Sequence, residues 1–150
     1  MIATKYVSPE LQRGITEVPV WYRGIREGEL EYCRRRGNEL YSILNSDDGF
    51  PQVLMITPHP LFAVHFALRN RDSLAQYLRD ISLGGYLIAE MPREAVRLIP
   101  GTHCGEYMDS YPIQAYAHPV DLDAITFRQP TEEELRIVRR KENPDLHYLI

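Results

Sequence analysis

Val18-Pro19-Val20-Trp21-Tyr22-Arg23-Gly24-Ile25 is an apolar, β-branched and aromatic run with one cation inside it and a glycine directly after. That composition predicts a strand, the first of the chain, packed on a largely buried surface. A charge carried into such a surface needs a partner. Two partners suit Arg23. Glu90, on a later strand, would pair with it inside the fold. Alternatively, Arg23 faces a pocket and holds an anion there. The remaining sequence is read outward from these two alternatives.

The chain has 150 residues, 44% hydrophobic and 25% charged, which fits a single soluble domain with one core. Its formal net charge of -4 disfavours non-specific nucleic-acid binding, which needs a basic surface. Arg34-Arg35-Arg36 is a local exception: either a basic last turn of a helix or a phosphate-binding patch. No apolar run is long enough for a bilayer, and Met1–Tyr6 carries no signal-peptide pattern. Cys33 and Cys104 lack a close metal spacing, so a reducing, cytoplasmic setting is expected.

Residues 1–17 read as an N-terminal arm. After the first strand, Glu29–Arg36 suits a short helix stopped by Gly37 at the C′ position. Glu39–Ile43 reads as a strand or turn, residues 45–49 as a loop, and Val53–Thr57 as a buried strand. Thr57-Pro58-His59-Pro60 then opens a core helix with Leu61, Val64, His65 and Leu68 at helical spacing. A second helix is expected over 72–81. Tyr86–Met91 reads as a strand ended by Pro92, Ala95–Ile99 as another, and 102–109 as an exposed loop. Ile113–Ala117 and Ala124–Phe127 complete the strands. Thr131-Glu132-Glu133-Glu134 is a capping box, which predicts a helix stopped at Asn143-Pro144. The apolar end of the tail, 145–150, would dock on the body or on a partner. Many short strands with a few helices, without regular alternation, indicate an α+β class: one domain of mixed, mainly antiparallel strands.

No glycine-rich phosphate loop, nucleophile elbow or Cys-x-x-Cys is present. His59, His65, His103 and Cys104 offer zinc ligands without ligand spacing. Chemistry-bearing residues remain in three places. Arg23 lies on the first strand, Thr57 and His59 at a strand-to-helix junction, and Glu106 before a late strand that carries Gln114. A cation, helix-end amides and a carboxylate in that order suit a diphosphate-bearing ligand.

Tyr22-Arg23-Gly24, Thr57-Pro-His-Pro-Leu-Phe-Ala63-Val-His-Phe66-Ala67, Tyr86–Pro92 and a late glutamate together resemble the ADP-ribosyltransferase superfamily, in its arginine–serine/threonine–glutamate type, across residues 18–127. Residues 128–150 would then be an appended C-terminal helix and tail. The resemblance implies NAD as substrate, no metal, and transfer of ADP-ribose to a protein or nucleic-acid acceptor, in a cytoplasm reached by synthesis there or by delivery as a toxin or effector. It implies catalytic roles for Arg23, Thr57 and Glu106, with Tyr22, Gly24, His59, Tyr86 and Gln114 around the cofactor. Arg23 would meet the diphosphate, Thr57 would orient the nicotinamide-side ribose, and Tyr22, Tyr86 or Tyr107 would stack on the nicotinamide. The family's Ser-Thr-Ser is replaced by Ile56-Thr57-Pro58, and its Glu-x-Glu or Gln-x-Glu pair is absent. A glutamine in place of the catalytic glutamate holds no negative charge against an oxocarbenium-like centre. Two other function classes therefore stand beside the enzyme: a binding module on the same fold, and an unrelated α+β interaction domain.

Overall fold

A computed structural model describes residues 18–43, 52–69, 78, 80–100, 104–107 and 111–140. The expected arm, the 72–81 helix except residues 78, 80 and 81, and the tail lie outside them. Eight strands and three α-helices are present among the described residues. They are β1 (Val20–Arg26), α1 (Glu27–Arg35), β2 (Glu39–Leu40), β3 (Leu54–Ile56), α2 (Pro60–Arg69), β4 (Tyr86–Pro92), β5 (Cys104–Tyr107), β6 (Tyr111–Ala117), β7 (Val120–Asp121), β8 (Thr126–Arg128) and α3 (Glu132–Arg140). Every named strand pair is antiparallel, so the α+β class holds.

The sheets run β1-β4-β8, β3-β6-β5 and β2-β7. The first two meet at one rung only, where Tyr22 and Thr57 exchange backbone hydrogen bonds of 2.7 and 2.9 Å. Alternation along β1 decides what each sheet face covers. Trp21 and Ile25 are fully buried in the main core with Leu40, Leu54, Ile56 and Met91. Gly24 and Tyr22 take the opposite face, under α2. That helix is apolar nearly all round because Ala63 and Val64 pack with Ile88 while Phe62 and Ala67 are also buried.

The local signals behave as their physics requires. Glu134 donates its backbone N–H to Thr131 Oγ1 at 3.0 Å, and Thr131 returns its own N–H to Glu134 Oε1 at 2.8 Å, a complete capping box for α3. Gly37 follows the end of α1 with φ +116°, and Asn38 follows it at +61°. The triple arginine finds partners beside it. Arg34 and Arg35 pair with Glu31 at 3.5 and 3.0 Å, and Arg36 lies 3.7 Å from the centre of the Tyr32 ring.

Three expectations are corrected. Ala95–Ile99 is no strand: a 3-10 turn over Arg93–Ala95 leaves one bridge, Leu98 with Ala117. Part of the expected 102–109 loop is strand, because Cys104–Tyr107 pairs with β6 although Cys-Gly-Glu-Tyr has little strand propensity of its own. Glu90 is not the partner of Arg23. Glu90 stands opposite Tyr22, so it shares Tyr22's side of the sheet, while Arg23 stands opposite Ala89.

Glu90 instead meets Arg128 Nε at 3.4 Å, and Arg128 clamps Glu134 through both nitrogens at 2.8 and 3.0 Å. This fork ties the start of α3 to β4 and β8. Hydrogen bonding from Arg128 is the chief reason that the Glu134 carboxyl sits below the usual carboxylate range; burial opposes it and the Thr131 N–H assists. A depressed folded value means stability that is complete above the unfolded value and lost as pH falls through the folded one. Glu134→Gln is therefore expected to lower stability at pH 7 by about 1–2 kcal/mol and to flatten the acid limb of the pH–stability curve, read by urea unfolding.

Candidate functional site: a cleft where two sheets part

In an uninterrupted antiparallel ladder, the hydrogen-bonded rung after Tyr22–Thr57 would join Gly24 to Met55. That rung is not made. Met55 O accepts a hydrogen bond from Arg23 Nη1 at 3.0 Å instead. The guanidinium thus takes the place of a ladder bond at the point where β3 and β1 part. Its Nη2 lies 3.6 Å from Glu29 Oε2, in the first turn of α1, and the two side chains are 11% and 4% exposed. Glu29 Oε1 also accepts the Arg26 backbone N–H at 3.2 Å. Burial pushes the Glu29 carboxyl above the usual carboxylate range, against the opposing pull of Arg23 and of the Arg26 N–H.

A cleft opens where the strands part. Tyr22, Arg23, Gly24, Met55, Ile56, Thr57, Ala63, Phe66 and Gln114 line it, and it is narrow, with about 10 Å³ open to the centre of a water-sized molecule. Thr57 is buried, and its Oγ1 accepts the His59 N–H at 3.2 Å, a turn that sets Pro60 as the first residue of α2. Gln114 reaches the cleft through register. Ile56 pairs with Ala115, so Gln114 falls one rung on, at the level of Thr57. Tyr22 is half-buried at the wall. Burial, then the nearby Glu90 carboxylate, raises its phenol above the ordinary value, so it stands there as a neutral hydroxyl at physiological pH.

Sequence reasoning had singled out Tyr22, Arg23, Gly24, Thr57 and Gln114, and all of them line this one cleft. His59 and Tyr86 are not among the lining residues; the Tyr86 ring lies 4.5 Å from the Arg26 guanidinium, which covers one of its faces. Glu106 lies on β5 opposite Pro112, two positions from the Cys104–Gln114 pair, so register assigns it to Gln114's face of the sheet. Its side chain, that of Tyr107, and His103 lie outside the described residues. Among the described residues, no group of three His, Cys, Asp or Glu is arranged to hold a metal ion.

The residue that sequence reasoning missed is Glu29. The Arg26-x-x-Glu29 spacing suits a helix N-terminus, but arginine is not a capping residue, so the signal was weak. In the sequence Met55 reads as core, and Ala63 and Phe66 as core and as part of the helix motif of the resemblance, without a place at the cleft. No protein-family model, curated protein or solved structure matches the chain. No described helix is long and apolar enough to cross a membrane.

Proposed function

We propose that the chain is an NAD-binding domain of the ADP-ribosyltransferase type, holding one end group of NAD in the cleft between β1, β3 and β6, with ADP-ribose transfer to a macromolecular acceptor resting on Glu106. The observation that carries this is the convergence of Tyr22, Arg23 and Gly24 of β1, Thr57 just after β3 and Gln114 of β6 on one cleft. Ligand pockets usually enclose roughly 300–1,000 Å³. Here only about 10 Å³ is open to the centre of a water-sized molecule, so an end group of NAD would have to widen the cleft on entering, and the remainder of the dinucleotide would lie outside it.

The roles differ from those the resemblance implies at one point. Two of the three Arg23 nitrogens are engaged within the protein, so Arg23 belongs first to the joint where β1 and β3 part. Thr57 anchors the strand-to-helix turn and Tyr22 supplies an aromatic wall beside it. Glu106 would stabilise positive charge as the bond from ribose to nicotinamide breaks.

A second reading is a module that binds NAD without turning it over. One observation favours it: the described lining of the cleft contains a glutamine and no carboxylate. Nicotinamide release from NAD separates the two. Under the first, the wild type releases nicotinamide and Glu106→Gln is slower by at least about 100-fold. Equal rates in both proteins would remove Glu106 from the mechanism. Under the second, NAD binds without release, and Gln114→Glu gains activity. Absence of NAD binding would sink both.

A further inference from the structure

A groove with far more room than the cleft runs beside α1, with about 550 Å³ open to the centre of a water-sized molecule. One face of the helix forms its wall. Glu27, Leu30, Glu31 and Arg34 line it at the i, i+3, i+4 and i+7 spacing that sets side chains along a single stripe. Leu30, Ile81 and Leu87 are only partly buried against the core, and all three line this groove. The two charges at the ends of the stripe are open to a partner. Glu27 accepts the Gly85 N–H through Oε1 at 2.8 Å, which fixes the carboxylate and leaves Oε2 for another donor. Arg34 meets Glu31 through Nη1 at 3.5 Å, an exposed pair of the kind worth little.

We propose that two copies of the chain meet on this face, α1 packing antiparallel on α1 about a two-fold axis, with Glu27 of each copy paired to Arg34 of the other. Seven residues of helix separate the carboxylate from the guanidinium by about 10 Å along the axis. Reversing one helix exchanges the two ends, so both opposite-charge contacts form at once. A parallel pairing would set like charge against like. The two-fold axis falls midway between positions 27 and 34, beside Leu30, so the two Leu30 side chains meet at the centre of the contact. A second copy carries the matching pattern of necessity, which is the property of an isologous interface. A wide groove lined by exposed charges also suits a protein surface better than an enclosed small ligand. One nine-residue helix makes a small interface. The dimer is therefore weak, with an expected Kd of roughly 10–500 μM. The proposal does not rest on the NAD reading, because the groove shares no lining residue with the cleft.

The test is sedimentation equilibrium of the full chain over a range of concentrations, with dilution of the isotopically labelled protein followed by NMR. The wild type is expected to dimerise, to do so less as salt rises from about 0.05 to 0.5 M, and to shift the amide signals of Gly28, Leu87 and Gln129 on dilution. Arg34→Glu, which leaves the Gly85 hydrogen bond intact, sets carboxylate against carboxylate at both ends and is expected to weaken association at least about tenfold. Glu27→Arg sets cation against cation and is expected to do the same. Mixing the two single variants supplies opposite charges at both ends, so a heterodimer with a Kd within about threefold of the wild type is expected. If Glu27→Arg does not fold, Arg34→Glu and the salt dependence of the wild type decide the matter. A wild type that stays monomeric up to about 2 mM would overturn the proposal and leave the groove to a partner of another kind. Single variants that associate as tightly as the wild type, or a mixture no tighter than either variant alone, would overturn it as well.

Discussion

Gly24→Ala is expected to lower stability by at least about 3 kcal/mol, a fall of roughly 10 °C in melting temperature for a chain of this size. A Cβ on Gly24 would lie 1.7 Å from Ala63 O, 2.7 Å from Ala63 C and 2.9 Å from Ala67 N. All three are backbone atoms of α2, so no side chain can rotate away to make room. The helix itself must retreat from β1, opening its contacts with Ile88 and with Val138 of α3. Total stabilities of about 5–15 kcal/mol leave little margin for such a loss. Differential scanning calorimetry reads the effect, and a change below about 1 kcal/mol would mean that α2 does not pack this closely on β1. Ala63 also lines the cleft, so a retreating helix reshapes the site as well. Gly24 therefore serves the site by letting α2 approach.

Arg23→Met is expected to cost about 3–5 kcal/mol at neutral pH, because it leaves the Glu29 carboxylate buried without its countercharge. Arg23→Met combined with Glu29→Met is expected to recover most of that loss, since an apolar pair of similar volume can replace a buried ion pair at little cost. The pH dependence follows from the raised Glu29 value. The folded protein holds that proton more tightly than the unfolded chain, so the Glu29 penalty is full above the folded value and is relieved as pH falls through it. Removing Arg23 takes away the pull that lowers the carboxyl, which makes the penalty larger and moves its relief to higher pH. Chemical unfolding of the wild type, the single variant and the double variant between pH 5 and 8 would show both effects. A single variant as stable as the wild type, or a double variant no better than the single, would mean that Glu29 does not depend on Arg23 for its countercharge.

Local signals were legible in the sequence because their partners lie within a few residues. The capping box of α3, the Pro60 start of α2 and the stop at Gly37 each depend on a short stretch of backbone, and each is found where the sequence places it. The first strand was legible from its β-branched and aromatic content. The partner of Arg23 was not, because it depends on two things that composition does not carry. One is the register of β4 against β1, which sets Glu90 on the wrong face for Arg23. The other is the direct passage from β1 into α1, which brings Glu29 back beneath the strand. Cys104–Tyr107 escaped for a related reason, since pairing with β6 imposes a conformation that those four residues do not favour alone.

The cleft was legible as a set of residues but not as a shape. Arg23, Thr57 and Gln114 could be picked out by the chemistry of their side chains and their order along the chain. That the two sheets join at one rung and then part could not be read, because a side chain takes the place of a ladder bond there. The committed state of Arg23 follows from the same geometry. It shifts the expected role of this arginine from gripping a diphosphate towards shaping the space beside it.

Titration of the labelled wild-type protein with NAD, read by backbone amide shifts, decides whether the cleft binds NAD. Perturbations are expected to cluster at Tyr22, Gly24, Thr57 and Gln114, to saturate together, and to be absent from the groove between Glu27, Arg34 and Gln129 on another part of the surface. An unchanged spectrum at millimolar NAD, or shifts confined to that other groove, would contradict binding in the cleft.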